Sequence, residues 1–351
     1  MERIRRVDCS GPGFTRKRHG RGFAYFDVSG ERIRDPEVLA RLKALVIPPA
    51  WTDVWICTDQ NGHLQAVGTD AAGRRQYLYH ERWRARRDSE KFDRMLEFAR
   101  LLPDLRERTA EALAGEGFTR DRVLACAVRL LDRGFFRIGT EGYAEQNHTY
   151  GLATMHKRHV RVDGHEIAFD YPSKGGRRYL ASVVDPEVAE VVAALKRRSG
   201  GGRELFAYRE GGAWVDLRSD DVNAWIKEQA GGDCTAKDFR TWKATVLAAV
   251  ALSASWPAAK SPTARTRAIS RAVKEVAHYL GNTPAVCRAS YIDPRVFDRF
   301  RSGRTIALDH LADVEEPGQP AHQGAVELAV LDLIEERHAP KDQQPPVELI
   351  A

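Results

Sequence analysis

The sequence predicts an α+β protein, with a small strand-rich N-terminal domain and a larger, mostly α-helical domain that carries a three-stranded β island. Three observations predict it. Residues 20–80 hold short β-type segments separated by turn signals. Beyond residue 90 apolar residues recur at helical spacing, and near 160–184 they alternate again. Taking the elements in order, Gly22 to Val28 (GFAYFDV) reads as a strand ended by Ser29-Gly30. Pro36 to Val46 has helical spacing and stops before Pro48-Pro49, since the residue before proline disfavours the α region. Val54 to Thr58 and Leu64 to Val67 flank an Asn61-Gly62 hairpin signal, and Gly73 to Tyr79 (GRRQYLY) is a further strand. Lys91 to Leu101, Leu105 to Ala114 and Thr119 to Phe136 are expected helices. The β island follows: Val160 and Val162 alternate, Asp163-Gly164 turns, and Ile167, Phe169 and Tyr171 alternate back. Lys174-Gly175-Gly176 turns again into a strand at Tyr179 to Val184. Helices return at Pro186 to Lys196, Ser219 to Gln229, Ala236 to Ser253 and Thr266 to Leu280. The expected domains are residues 1–88, residues 89–311 and an acidic, partly disordered tail over 312–351 with one helix at Ala325 to Arg337.

Composition narrows the function classes. At 351 residues and 43% apolar content the chain is long enough for two domains with a buried core. Its longest apolar run, Val246 to Leu252, is far short of the roughly 18 residues a membrane span needs. The N-terminal MERIRRVDCSG lacks the apolar stretch of a secretory signal. Five scattered cysteines (Cys9, Cys57, Cys126, Cys234, Cys287) without a CxxC pair fit reduced thiols in a cytoplasm better than disulfides or a zinc site. Residues 309–351 carry a net charge of −8 and residues 1–308 a net +14; a basic body with an acidic tail suggests a polyanion partner, while charge alone suits a solvated surface equally well. The sequence has no GxxxxGK[ST], no HExxH and no compact carboxylate cluster suited to two-metal phosphoryl transfer. A basic protein acting on nucleic acid without these must stabilise phosphate charge with fixed cations, and arginine suits that best.

Four segments supply such cations together with a nucleophile. They are Phe135-Phe136-Arg137-Ile138-Gly139, Lys174 in the turn after a β-hairpin, Lys237-Asp238-Phe239-Arg240-Thr241-Trp242, and Leu280-Gly281-Asn282-Thr283-Pro284 with Tyr291 nine residues past Asn282. Singly, each has an ordinary structural explanation: an arginine snorkelling from a core, a solvated turn lysine, a half-buried phenol. Together, in this order and spacing, they resemble the type IB DNA topoisomerases, specifically the poxvirus-like branch found in bacteria, over residues 20–308.

The resemblance implies a C-shaped clamp, in which residues 1–88 form a DNA-clamping domain and residues 89–311 the catalytic domain. It implies relaxation of supercoiled DNA by transient single-strand cleavage, strand swivelling and religation. Tyr291 is then the nucleophile that becomes joined to a 3′ phosphate, and Arg137 and Arg240 contact non-bridging oxygens. Lys174 is the general acid for the departing 5′ oxygen, and Lys237 assists beside it. Asn282 stands where many relatives have His, and it can donate a hydrogen bond but cannot carry a proton or charge. Gln76, Tyr77, Tyr79 and Tyr143 match DNA-contacting positions, although the tyrosines of the RRQYLY strand would equally suit inward packing. Thr140 stands where a poxvirus-type enzyme has Lys. The scheme needs no metal, ATP or other cofactor. The expected protein is a cytoplasmic, nucleoid-associated monomer on double-stranded DNA, with no membrane association. Two alternatives stay open. A tyrosine recombinase shares this chemistry but usually has HxxR where this chain has Lys237 three residues before Arg240, and a helical N-terminal domain. A non-catalytic basic DNA-binding protein would need no ordered Arg-Lys-Arg-Tyr set.

Overall fold

The computed structural model describes residues 3–307 and 324–336, so most of the expected tail lies outside the described residues. The chain divides into two compact units, Met1–Phe92 and Asp93–Ala351.

The first unit is built on a five-stranded antiparallel sheet, β1 (Phe14–His19), β2 (Gly22–Phe26), β3 (Thr52–Ile56), β4 (Leu64–Thr69) and β5 (Arg75–Tyr79), in the order β2-β1-β3-β4-β5. Strand β1 has no counterpart in the sequence expectation. Its FTRKRH carries no apolar alternation, and only Arg16 is buried on it. Gly20, at φ +56°, turns it back into β2 with His19 opposite Gly22. The buried Arg16 guanidinium donates to the carbonyls of Ile47 and Pro48 (both 2.8 Å) and lies 3.2 Å from that of Trp51. That cation fastens the loop after helix α1 (Pro36–Ala44) to the sheet. α1 begins where Asp35 accepts from the amides of Glu37 and Val38 (2.8 and 3.2 Å). It buries Leu42 with Tyr25, Ile47, Val54, Ile56 and Ala66 in the core of the unit. The strand order leaves β5 at the sheet edge, and along it Tyr77 and Tyr79 are exposed while Gln76 and Leu78 are half-buried.

Helix α2 (Glu81–Leu113) is one helix where two were expected, with Pro103 inside it. The division between the units falls within it. An interior proline costs about 3 kcal/mol. Phe98, Leu102 and Leu105 are each 1% exposed around it, and burying each such side chain is worth about 1.5–3 kcal/mol, so packing outweighs the proline.

The second unit is mostly helical. It contains α3 (Arg120–Arg133), α4 (Glu141–Asn147), α5 (Pro186–Arg197), α6 (Ser219–Ala230), α7 (Ala236–Ser255), α8 (Pro262–Leu280), α9 (Pro284–Ser290) and α10 (Pro294–Arg301). The β island is the antiparallel sheet β6 (Val160–Asp163), β7 (Glu166–Ser173) and β8 (Arg177–Val184), and a hairpin of β9 (Ala207–Glu210) and β10 (Ala213–Asp216), not expected from the sequence, turns at Gly211-Gly212. Helix α7 is the apolar axle, burying Phe239, Trp242, Ala244, Val246, Ala248 and Leu252, and Phe98 meets Phe239 edge-on at 4.9 Å. The helix expected in the tail is α11 (Ala325–Glu335), packed on α7 and α10. No helix among the described residues is long and apolar enough to cross a membrane.

Candidate active site

The site forms where three chain segments meet around the first turns of α7. Asp238 caps that helix by accepting from the Thr235 amide and hydroxyl (both 2.8 Å). Lys237 and Arg240, three residues apart, then share a face. Arg240 is only 4% exposed. Its guanidinium donates to the carbonyls of Phe135 and Leu280, the latter at 2.9 Å, and so ties the segment after α3 to the end of α8.

The segment after α3 is not helical. α3 ends at Gly134, where a side chain would collide with the Phe136 ring. The expected helix therefore stops at Arg133 rather than Phe136. Gly139 takes φ +76°, and a Cβ there would lie 2.8 Å from the backbone of Gly151. That close approach lets the amides of Leu152 and Ala153 donate to the carbonyls of Arg137 and Ile138 (2.8 and 2.7 Å). With its backbone held, the Arg137 guanidinium donates to Asn282 Oδ1 (2.6 Å), the Gly281 carbonyl (3.2 Å) and Ser173 Oγ (3.3 Å).

Asn282 follows Gly281, the left-handed residue that ends α8, and its own amide donates to the Ala277 carbonyl (3.0 Å). Its Oδ1 is occupied by Arg137, which leaves Nδ2 buried with no hydrogen-bond partner among the described residues; Arg240 Nε is in the same condition. Buried donors are normally satisfied; Arg240 lies against Tyr291, and Asn282 is tied to the same centre through Arg137.

Tyr291 sits just past α9, with its amide donating to the Cys287 carbonyl at 2.9 Å. The Thr245 hydroxyl of α7 accepts from the Asp293 amide (3.1 Å) and lies 3.3 Å from the Tyr291 carbonyl, which fixes this corner to the helix that carries Arg240. The Arg240 guanidinium carbon is 5.4 Å from the centroid of the Tyr291 ring. Burial opposes ionisation of the Tyr291 phenol. The charges of Arg240 and Arg137, hydrogen bonding with Arg240 and the charge of Lys237 together outweigh it, so the phenol is held below the ordinary tyrosine pKa. The contrast with its neighbours is informative. Burial pushes Tyr179 up to about 12 and Tyr171 well above the usual value, although Arg240 and Arg137 act on both.

The structure thus brings together Arg137, Lys237, Arg240, Asn282 and Tyr291. Lys174 stands apart: it is exposed in the β7–β8 turn, and its ammonium lies 5.7 Å from the centroid of the Tyr143 ring. Only its neighbour Ser173 meets Arg137. In the first unit Tyr77 and Tyr79 stack with centroids 6.3 Å apart and are 45% and 40% exposed, so they do not pack inward. Gln76 lies on the other face of β5 and donates to Asp70 (2.9 Å). Sequence reasoning missed Ser173 and Arg177, whose guanidinium reaches the Asn282 carbonyl (3.2 Å); nothing in their sequence context marks them beyond adjacency to the Lys174 turn. Among the described residues no group of three or more His, Cys, Asp or Glu side chains is placed to hold a metal ion.

Comparison with known proteins gives this arrangement a family. Residues 80–303 match the model for the catalytic core of eukaryotic DNA topoisomerase I, and residues 22–70 match that for the N-terminal domain of bacterial DNA topoisomerase IB. The DNA topoisomerase 1B of Acanthamoeba polyphaga mimivirus is 28% identical over 308 residues, covering 86% of this chain and 91% of the viral protein. The chain belongs to the type IB DNA topoisomerases. It is accordingly an isomerase that acts on DNA, and the recombinase and binding-only alternatives fall away.

Proposed function

We propose that this chain relaxes supercoiled DNA through a 3′-phosphotyrosyl intermediate on Tyr291. The observation that carries the reading is the placement of Arg240 against the Tyr291 ring, with Arg137 and Lys237 near enough to help lower its phenol, and Asn282 held by Arg137 with its Nδ2 unpartnered among the described residues. The phenol oxygen attacks phosphorus and gives its proton to solvent water. A phosphorus–oxygen bond to Tyr291 forms as the bond to the 5′ oxygen breaks. Arg137 and Arg240 hold the non-bridging oxygens, with Asn282 Nδ2 as a third donor, so negative charge builds up against fixed donors. A 5′ alkoxide is a poor leaving group, and Lys174 gives it a proton, leaving a free 5′ hydroxyl. To do so the exposed lysine leaves the Tyr143 ring and turns toward Arg137, one residue back along the chain at Ser173. The tyrosyl ester keeps the energy of the phosphodiester, so swivelling of the free end followed by the reverse attack reseals the strand without a nucleotide. Tyr77 and Tyr79, exposed on an edge strand, are the DNA-contacting pair we assign in the first unit; Gln76 contributes only if it leaves Asp70.

A plasmid bearing no paired recognition sites tests the whole reading. Supercoiled DNA should relax in EDTA without ATP, and a strict nucleotide requirement would contradict the proposal. Two substitutions test the parts. Asn282→Ala removes one oxyanion donor and also exposes the Arg137 fork, so single-turnover cleavage should slow by roughly 10- to 1000-fold; an unchanged rate would take Asn282 out of the site. Lys174→Ala should slow cleavage by about 10²- to 10⁴-fold on ordinary DNA. On a substrate whose departing 5′ atom is sulfur, which leaves without protonation, the same variant should cleave at close to the wild-type rate. Equal slowing on both substrates would mean that Lys174 is not the acid.

A further inference from the structure

Lys243 is a fully buried cation, 1% exposed, three residues along α7 from Arg240. Its ammonium donates to the Gly134 carbonyl at 3.3 Å and lies 5.5 Å from the centroid of the Phe135 ring. Arg240 donates to the next carbonyl along, that of Phe135. Two cations of one helix therefore grip two successive carbonyls of the segment that leads to Arg137. Gly134 ends α3, so its carbonyl is among those a helix leaves without an intrahelical partner, and a cation is the favoured partner at that end.

The surroundings are organised around this contact. Arg106 of α2 donates to Asp132 of α3 (2.9 and 3.0 Å) and to Glu327 of α11 (2.6 and 3.0 Å). The Trp242 indole donates to the same Glu327 carboxylate at 2.9 Å. The charged groups acting on Lys243 are Asp132 and Arg133 of α3, Arg106 of α2 and Glu327 of α11. Burial pulls its ammonium down to about 8 despite Asp132 and Glu327. An ammonium is costly to bury, and an apolar residue of similar volume is often the more stable occupant of such a place. The directed bond to Gly134 is what distinguishes lysine from such a residue.

We propose that Lys243 is a positioning residue for DNA cleavage: by holding the Gly134 carbonyl against α7 it keeps Arg137 in register with Arg240 at the reacting phosphate. The inference rests on the assignment of Arg137 and Arg240 made above.

The test compares K243M and K243Q with wild type in single-turnover cleavage at saturating enzyme, non-covalent DNA binding and thermal unfolding. Misplacing a guanidinium by about 1 Å costs on the order of 10²-fold. K243M should therefore cleave about 10- to 100-fold more slowly with unchanged DNA affinity and no comparable loss of Tm. K243Q retains a donor for the Gly134 carbonyl and should recover to within about threefold of wild type. The proposal is overturned if K243M cleaves at the wild-type rate, if both variants are slowed alike, or if the defect lies in DNA affinity or Tm alone. Where K243M does not fold, K243L replaces it under the same criteria. Absence of a Tyr291-dependent adduct in wild type overturns the proposed function, whereas a normal wild-type adduct with a normal K243M overturns only this inference.

Discussion

Tyr291→Phe is expected to bind DNA with wild-type affinity and to form no covalent adduct, with relaxation reduced by 10⁴-fold or more, on the order seen when an enzyme loses its nucleophile. The substitution deletes one oxygen from a half-buried ring. The ring packing, the backbone bonds to Cys287 and Thr245 and the Arg240 contact with the ring face do not depend on that oxygen, and the hydrogen bond it shares with Arg240 is worth only about 1 kcal/mol. Stability should therefore change little, so a lost activity reads on chemistry rather than folding. Plasmid relaxation beside a denaturant-trapped adduct assay checks it. Residual adduct in the variant would mean that another residue attacks the phosphate.

Arg240→Ala carries the second large effect. Its guanidinium is the leading attractive charge on the Tyr291 phenol and the tie between the Phe135 and Leu280 carbonyls. Removing it should slow cleavage by about 10³-fold or more, since one preorganised donor alone is worth about 10²- to 10³-fold. Arg240→Lys should not restore the rate, because a point-charge ammonium cannot reproduce the planar fork. The pH dependence has a definite sign. In wild type the phenol lies below its ordinary value, so the phenolate fraction, and with it the cleavage rate, rises with pH and levels off earlier than for a free tyrosine. Without Arg240 burial is opposed by less charge, and the rising limb should move to higher pH. A limb that stays in place would show that Arg240 does not act on Tyr291.

The sequence made part of this legible. Arg137, Arg240, Asn282 and Tyr291 could be chosen before any coordinates because their chemistry sits in compact segments whose order and spacing carry the signal. What stayed hidden depends on contacts between segments. No pattern in FTRKRH announces a strand, because β1 is fixed by pairing and by one buried arginine reaching past α1. Pro103 reads as a break, and only the packing of Phe98, Leu102 and Leu105 keeps α2 continuous. The hairpin of β9 and β10 is short and lies beside a glycine-rich loop, so its strands look like connection. At the site, the resemblance marks Asn282 as standing where many relatives have His, but not that its oxygen is taken by Arg137 while its nitrogen has no partner among the described residues. Lys243 likewise looks like one more helix-surface lysine until the structure buries it under Gly134.

The resemblance also placed Gln76, Tyr77 and Tyr79 in one contacting strand, and strand geometry separates them. Alternation sends the two tyrosines to one exposed face and Gln76 to the other, where Asp70 holds it. Tyr143 and Lys174, distant in sequence, are neighbours in space.

The most direct measurement is to trap the enzyme on duplex DNA with denaturant, digest the protein and identify the peptide that carries nucleotide. A single modified peptide is expected, with the phosphate on Tyr291 joined to the 3′ end of the upstream strand, and a downstream strand released with a 5′ hydroxyl. Nucleotide on any other residue, or a linkage to a 5′ end, would contradict it.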